Sequence, residues 1–190
     1  MDLQQWQSLI DEALIINREL ADDWGIALSL SIAGWLASRH GEYEKSAQIY
    51  QESLAHAVAI GDKLNESFAW VDLGRAHLLR NDFERARAMF QTSLDLAHVL
   101  RYKTGLAYGA EGLACVDMLS GQVERGVCLF GAAQALRTQT GAPPWRLDRP
   151  MYDNILADAR AQLGATAFDQ LLADGRLLTI DAALVGRAGG

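Results

Sequence analysis

The sequence repeats itself with a period of 40 residues, and this period constrains the fold more than any other feature. Segment 74–96 reads GRAHLLRNDFERARAMFQTSLDL, and segments 34–56 and 114–136 align with it without a gap. In the middle copy, apolar residues recur at helical spacing on both sides of Asn81-Asp82, where one helix should end and the next begin. A fixed period of this size, with two helices in each unit, is typical of a solenoid.

The same pattern gives the bounds of the helical hairpins. Gly61-Asp62 is a representative boundary, because Gly tolerates a left-handed position after a helix and Asp accepts the free amide protons of the next one. Residues 3–20 carry one amphipathic stripe and correspond to the second helix of a hairpin whose first helix is missing. The six helices of the full hairpins are predicted over residues 23–39, 42–60, 63–79, 82–100, 103–119 and 122–138.

After the third hairpin the register is lost. Gly141–Trp145 contains two consecutive Pro residues, and Arg149-Pro150 follows. Because consecutive Pro residues cannot lie in the interior of a helix, we predict an ordered loop here. Three shorter helices should then form a cap, because a terminal repeat must cover the open end of a stack. These helices are predicted over residues 151–163, 165–173 and 180–185, the last with Thr179 as its N-cap.

The predicted fold is therefore all-α: a right-handed α-solenoid of three antiparallel hairpins, preceded by a half-repeat and followed by a helical cap. We predict one domain over residues 1–190. Its parts are the half-repeat helix 1–22, the repeats 23–61, 62–101 and 102–140, and the cap 141–190.

Small residues predict where the two helices of each hairpin cross. Helix axes can approach closely only where side chains are nearly absent, and bulky side chains must fill the space beside such a site. The small positions are Gly34, Gly74 and Ala114 on the first helices and Ser46, Ala86 and Gly126 on the second, with Tyr50, Phe90 and Phe130 as bulky neighbours.

The repeats resemble the tetratricopeptide repeat, although the period is longer than that family's usual length of about 34 residues and the closing Pro is absent. The residues that carry the resemblance in the middle copy are Trp70, Leu73, Gly74, Asn81, Phe83, Ala86, Phe90 and Ser93. In that family the first helix of each hairpin lines a concave groove that binds partners. Mapped onto this sequence, the resemblance implies groove residues Ser31, Trp35, Phe68, Asp72, Arg75, Tyr108, Glu111 and Cys115.

Aromatic and Arg side chains suit recognition, because they bury much area and keep a polar group. An alternative stays open, in which Trp35 and Phe68 only pack against a neighbouring helix. The Lys/Asn set that grips a terminal carboxylate in chaperone-binding members of the family is not found at these positions, which disfavours a receptor for chaperone tails.

The C-terminal third has a second resemblance, to the C-terminal ends of bacterial STAND-type signal-transduction ATPases and LuxR-type transcriptional regulators. The shared elements are LFGAA at 129–133, GAP at 141–143, Tyr152, LG at 163–164, AF at 167–168 and DGR at 174–176. The resemblance implies the sensor or interaction arm of a bacterial transcriptional regulator. The NTPase loop GxxxxGK(S/T) of such proteins does not occur in this sequence.

Residue patterns disfavour catalysis, metal binding and nucleic-acid binding. The net charge is −7, with no cluster of Lys and Arg that would suit phosphates. Neither HExxH, CxxC nor a nucleophile elbow occurs, so we predict no enzyme, no metal and no cofactor. No apolar run reaches about 18 residues, which predicts no membrane span. Cys115 and Cys128 are too few for a disulfide framework, and we interpret both as structural thiols of a cytoplasmic protein.

Acidic–basic pairs recur with the period and predict a solvated face: Glu44-Lys45, Glu84-Arg85 and Glu124-Arg125. Two functional hypotheses remain. In the first, the chain is a non-catalytic interaction or effector-sensing module that binds a protein, a peptide or a small effector in its groove. In the second, it is a self-association element of a larger NTPase regulator and forms homo-oligomers through the N-terminal half-repeat, whose apolar face is open.

Overall fold

The computed structural model describes residues 3–142 and 149–185, and these residues are folded into helices without any strand. The predicted all-α class is confirmed, and consecutive helices pack neighbour on neighbour as expected for an α-solenoid. None of the described helices is long and apolar enough to cross a membrane. The helices are α1 (Leu3–Glu19), α2 (Asp23–Arg39), α3 (Tyr43–Ala59), α4 (Lys63–Leu79), α5 (Phe83–Val99), α6 (Lys103–Leu119), α7 (Val123–Thr140), α8 (Arg149–Leu163), α9 (Ala165–Arg176) and α10 (Ile180–Val185).

The predicted helix bounds are accurate to within three residues, and the largest differences lie in the cap. We expected a break at Arg149-Pro150, but α8 begins at Arg149 and includes Pro150 in its first turn. Pro is tolerated there because the amide proton it lacks would have no partner inside the helix. Helix α9 extends three residues beyond its predicted end. The central part of the predicted loop, residues 143–148, lies outside the described residues.

The turns between the first seven helices share one geometry. After each helix, the Schellman arrangement closes the end: at the third turn, the Gly61 N–H donates to Val58 O (3.0 Å) and the Asp62 N–H donates to Ala57 O (3.0 Å). Asp62 then accepts the Asn65 N–H at 3.1 Å, which confirms the predicted cap. A residue with positive φ recurs every 20 positions, at Ala21, Gly41, Gly61, Asn81, Arg101, Gly121 and Gly141.

Exchanging glycine and alanine at two of these turns should change stability in opposite directions. Ala21 holds φ at 51°, a conformation that disfavours a Cβ atom, so Ala21→Gly should raise the free energy of unfolding by roughly 0.5–1 kcal/mol. Gly41→Ala should lower it by about 1 kcal/mol, because a Cβ at Gly41 meets no atom within 4 Å and only backbone strain is added. Urea denaturation of both variants measures these differences, and changes of the same sign would contradict the turn assignment.

The chain divides into two compact units, residues 1–96 (unit 1) and 97–190 (unit 2), which we describe separately. Unit 1 contains α1 to α4 and most of α5. One apolar cluster lies where α1 meets α2, and a second lies where α3 meets α4. Their buried residues are Ile10, Leu14, Ile26, Leu30, Ala33 and Leu36 in the first cluster and Ala47, Tyr50, Leu54, Ala69, Leu73 and Ala76 in the second.

The predicted crossings are confirmed in both units. A Cβ added to Gly34 would lie 2.7 Å from the Tyr50 ring, and one added to Gly126 would lie 2.6 Å from the Ala114 carbonyl oxygen. In the first hairpin, the buried Ser46 hydroxyl also donates to Gly34 O at 2.8 Å. Ser53 and Ser93 occupy another equivalent position, on the second helix of the first and second hairpins. Each hydroxyl donates to a carbonyl oxygen of the first helix: Ser53 to Ala27 O (2.7 Å) and Ser93 to Ser67 O (3.0 Å). Equivalent residues therefore make equivalent helix–helix contacts.

Gly74→Leu tests the crossing of the second hairpin. A Cβ at Gly74 would lie 2.8 Å from Phe90 Cε1, and Phe90 is fully buried, so a larger side chain must push the helices apart. We expect the free energy of unfolding to fall by roughly 1–3 kcal/mol in a chemical denaturation experiment. A variant as stable as the wild type would contradict the assignment of this site as a close crossing.

Unit 2 contains the hairpin α6–α7 and the cap helices α8, α9 and α10. Helices α7 and α9 meet at two glycines. A Cβ at Gly131 would collide with the Leu172 carbonyl oxygen, and one at Gly175 with the Cys128 carbonyl oxygen, both well inside the 3.0 Å that real Cβ atoms keep. Thr179 accepts the Ala182 N–H at 3.2 Å, which confirms the predicted N-cap of α10.

The C-terminal motifs noted in the sequence occupy packing and turn positions of unit 2. Gly131 of LFGAA and Gly175 of DGR form the α7–α9 crossing. Gly141 follows the end of α7 with φ of 67°, and Gly164 precedes the start of α9 with φ of 79°. Tyr152 packs on Phe130, with ring centroids 6.2 Å apart, and Phe168 is buried. The motifs therefore describe how the cap attaches to the last hairpin.

Candidate interaction face on the first helices

Helices α2 and α4, the first helices of two successive hairpins in unit 1, lie in contact with each other. The Ser31 hydroxyl on α2 donates to Asp72 Oδ2 on α4 at 2.7 Å. The Arg75 guanidinium, one turn further along α4, forms an ion pair with the same carboxylate, and both charged side chains are buried. The structure thus brings together three of the residues that the sequence placed in a groove.

The predicted aromatic residues of unit 1 are half-buried. Trp35 packs against the first apolar cluster of unit 1, and its indole N–H is buried without a hydrogen-bond partner among the described residues. This contact supports the packing alternative for Trp35. Phe68 on α4 is also half-buried. Leu28, which precedes Trp35 by seven residues and so lies on the same face of α2, is 47 % exposed.

The predicted groove residues of unit 2 lie on α6 and are buried. Tyr108 is 6 % exposed, and Glu111 and Cys115 are completely inaccessible. The Glu111 carboxylate is paired with Arg137 on α7, with Nη1 and Oε1 2.5 Å apart. Sequence reasoning missed this ion pair, because the two residues belong to different helices and no repeated pattern connects them.

The chemistry of Cys115 follows from its burial. Removal from solvent raises the pKa of the Cys115 thiol well above its ordinary value, and the neighbouring Glu111 carboxylate raises this pKa further. The thiol therefore stays protonated and unreactive at neutral pH, as expected for a structural cysteine. Cys128, on α7, is only half-buried.

We expect the two thiols to differ sharply in reactivity. A thiol-disulfide reagent such as DTNB should modify Cys128 in the native protein, whereas Cys115 should react only after denaturation, because its thiolate is disfavoured and inaccessible. Absorbance measures the equivalents released in the presence and absence of guanidinium chloride. Cys128→Ser is the control and should abolish labelling of the native protein. Release of two equivalents from the native wild type would contradict the burial of Cys115.

At the third acidic–basic pair, Glu124 is exposed, as expected for a solvated face, whereas Arg125 is only partly exposed. Arg125 contacts three residues of unit 2: Asp117 Oδ2 lies 3.4 Å from Nε, Gln122 Oε1 lies 2.9 Å from Nη1, and Leu184 O lies 3.4 Å from Nη2. The Asp117 carboxylate is fully buried. The third repeat differs from the others because the cap helices pack beside it, which no property of the repeat itself reveals.

No metal site is apparent: in residues 3–142 and 149–185, no three or more His, Cys, Asp or Glu side chains are grouped so that they could hold an ion. The described interior of unit 2 instead uses its acidic side chains in ion pairs with Arg125 and Arg137.

Comparison with known proteins agrees with the geometry of the hairpins. The family model described as tetratricopeptide repeat matches residues 25–98, which extend from the first turn of α2 into the last turn of α5. No curated protein matches the chain. Repeats of this family generally mediate protein–protein interactions. Region 25–98 is thus similar to tetratricopeptide repeats, which supports a tetratricopeptide-repeat protein and a non-catalytic interaction module.

Proposed function

We propose that this chain binds a protein or peptide partner through the first-helix face of unit 1, defined by Leu28, Ser31, Trp35, Phe68, Asp72 and Arg75. The hydrogen bond from Ser31 to Asp72 carries the proposal, because it fixes α2 against α4 and holds the two first helices in register. The helical spacing of Leu28 and Trp35 places both on the face of α2 that Ser31 occupies.

The chemistry of this face favours an apolar partner segment. Asp72 and Arg75 neutralise each other and are buried, so they hold the face together and offer little net charge. Leu28 is half-exposed and Phe68 is half-buried, so both side chains leave apolar area accessible. On α6, Tyr108, Glu111 and Cys115 occupy the same repeat positions. Since they are buried, the proposal gives them the role of supporting α6 rather than contacting the partner.

A peptide-display selection tests the face with random peptides in place of the natural partner. Peptides selected on the wild type are labelled, and their Kd values are measured by fluorescence anisotropy. The double variant Leu28→Ala, Phe68→Ala should bind them at least about tenfold more weakly. Val58→Ala is the matched control. Val58 is 48 % exposed and Leu28 is 47 % exposed, but Val58 lies on α3, the second helix of the first hairpin, and so outside the proposed face. Peptides that lose affinity for the Val58 variant and keep it for the double variant would refute the proposed face.

The narrower proposal is that the chain is the sensor arm of a bacterial signal-transduction or transcriptional regulator in the cytoplasm, with a small effector as an alternative ligand. Its support is the resemblance of the C-terminal motifs, from LFGAA to DGR, to the C-terminal ends of such regulators. Sequencing the gene on both sides of the coding region tests it. An NTPase module in the same reading frame would support the proposal, and stop codons directly flanking these 190 codons would count against it.

Self-association through α1 is the second candidate. Apolar side chains on one face of α1 remain partly exposed in unit 1, with Leu9 at 50 % and Ile16 at 47 %. Trp6 lies at the α1 position that corresponds to the small crossing residues of α3, α5 and α7, so this helix presents a bulky contact where the others present a small one. Light scattering at high micromolar concentration should give a dimer mass that Leu9→Glu abolishes and Val58→Glu preserves. A monomer at every concentration would exclude this candidate.

A further inference from the structure

Unit 2 contains a cavity that the interaction face does not use. It has a volume of about 690 Å³, within the range of roughly 300–1,000 Å³ that is typical of small-molecule sites. It lies between the start of α7, the second half of α9, the connection from α9 to α10, and the end of α10. Its lining residues are Glu124, Arg125, Cys128, Leu171, Asp174, Leu178, Ala182, Ala183, Leu184 and Val185.

The walls of the cavity are mainly apolar. Leu171 and Leu178 line the cavity together with a short run of apolar side chains from α10. Leu178 is 40 % exposed and Val185 is 79 % exposed, so apolar surface is available to a ligand. A ligand of this cavity therefore needs an apolar body.

The charges that remain available in the cavity are negative. All three guanidinium nitrogens of Arg125 already face an acceptor, and the buried Asp117 carboxylate neutralises its charge. Glu124 on α7 and Asp174 on α9 are exposed carboxylates that line the cavity. Asp174 Oδ1 accepts a hydrogen bond from Gln170 Nε2 at 2.8 Å, which leaves the negative charge of the carboxylate without a cationic partner among the described residues. Asp174 also lies in the last turn of α9, where the helix dipole adds partial negative charge. At the start of α7, Glu124 itself offsets the partial positive charge of the helix.

We propose that this cavity binds a small hydrophobic cation, such as a primary ammonium ion on an aromatic or alkyl body. Its ammonium group pairs with the Glu124 and Asp174 carboxylates, and its apolar body packs against Leu171, Leu178 and α10. The site is separate from the interaction face of unit 1, so each can fail without the other.

Three probes of equal shape and different charge test the proposal: naphthylmethylammonium, naphthylmethanol and naphthoate. Isothermal titration calorimetry on the full chain should show that the ammonium probe binds about tenfold more tightly than the alcohol, and that the carboxylate binds most weakly. Equal affinities, the absence of binding by all three, or a preference for naphthoate would each overturn the proposal. The last result would show that Arg125 is available to a ligand.

Charge-neutral variants locate the site. Glu124→Gln with Asp174→Asn should reduce the affinity of naphthylmethylammonium to that of naphthylmethanol. Glu84→Gln is the matched control and should change nothing, because Glu84 occupies the same repeat position on α5. Unchanged affinity in the double variant would overturn the assignment.

A second measurement does not depend on these variants. Cys128 lines the cavity, so bound naphthylmethylammonium should slow its labelling by a thiol reagent several-fold, and naphthoate at the same concentration should not. Ala182→Trp should fill the cavity and abolish probe binding, with circular dichroism as the check on folding. Protection of Cys128 that is equal for both probes would refute a cation site.

Discussion

Replacing Gly175 by Ala should lower the free energy of unfolding by about 3 kcal/mol, although Ala is the better helix former. A Cβ at this position would collide with the Cys128 carbonyl oxygen, which is backbone and cannot rotate away. Helices α7 and α9 must therefore separate, and the contacts of the cap with α7 are lost. Chemical denaturation followed by circular dichroism measures the change.

Two further variants separate this effect from helix propensity. Ala173 is exposed on the same helix, so Ala173→Gly should cost only about 1 kcal/mol of propensity. Gly131→Ala should resemble Gly175→Ala, because it places a Cβ against the Leu172 carbonyl oxygen from the other side of the crossing. The two glycine substitutions should be less than additive when combined, since either one separates the helices. A Gly175→Ala variant more stable than the wild type would show that the helices do not cross here.

Arg137→Met should cost about 3 kcal/mol of stability, because it leaves the carboxylate of Glu111 without its ion-pair partner on α7. The Glu111 side chain is completely buried and that of Arg137 is only 14 % exposed, so solvent cannot replace the lost interaction. Urea denaturation at neutral pH measures the loss.

The matched control is Arg18→Met, which removes one partner of an exposed ion pair with Glu52 at 3.0 Å. Exposed pairs contribute little, so its unfolding midpoint should stay close to that of the wild type. Combining Arg137→Met with Glu111→Met should recover most of the stability, because the buried charge is then absent. A loss in Arg18→Met equal to that in Arg137→Met would contradict the argument from burial.

The repeat period predicts most of the fold of this protein. A residue with positive φ ends each of the first seven helices at 20-residue intervals, and the glycines at 41, 61, 121 and 141 mark four of these turns in the sequence. Ala21 and Arg101 adopt the same conformation without a glycine. Their backbone follows from the packing of the helices on either side, which a local sequence signal does not report.

The candidate face was predictable only in part. The repeat register identifies Ser31, Asp72 and Arg75 as positions on the first helices, and the structure joins them. It also predicts Glu111 and Cys115 as groove residues at equivalent positions, and both are fully buried. Register gives the direction of a side chain relative to its own helix, whereas exposure depends on which other helices cover that face.

The sequence alone determined the number and type of the repeating helices, their turns and the small residues at each hairpin crossing, because these depend on spacing along the chain. The tertiary structure decided the α7–α9 crossing at Gly131 and Gly175, the pairing of Glu111 with Arg137, and the cavity beside α10. Each of these joins residues far apart in sequence that obey no common period. Their proximity follows from the way the cap folds back onto the last hairpin.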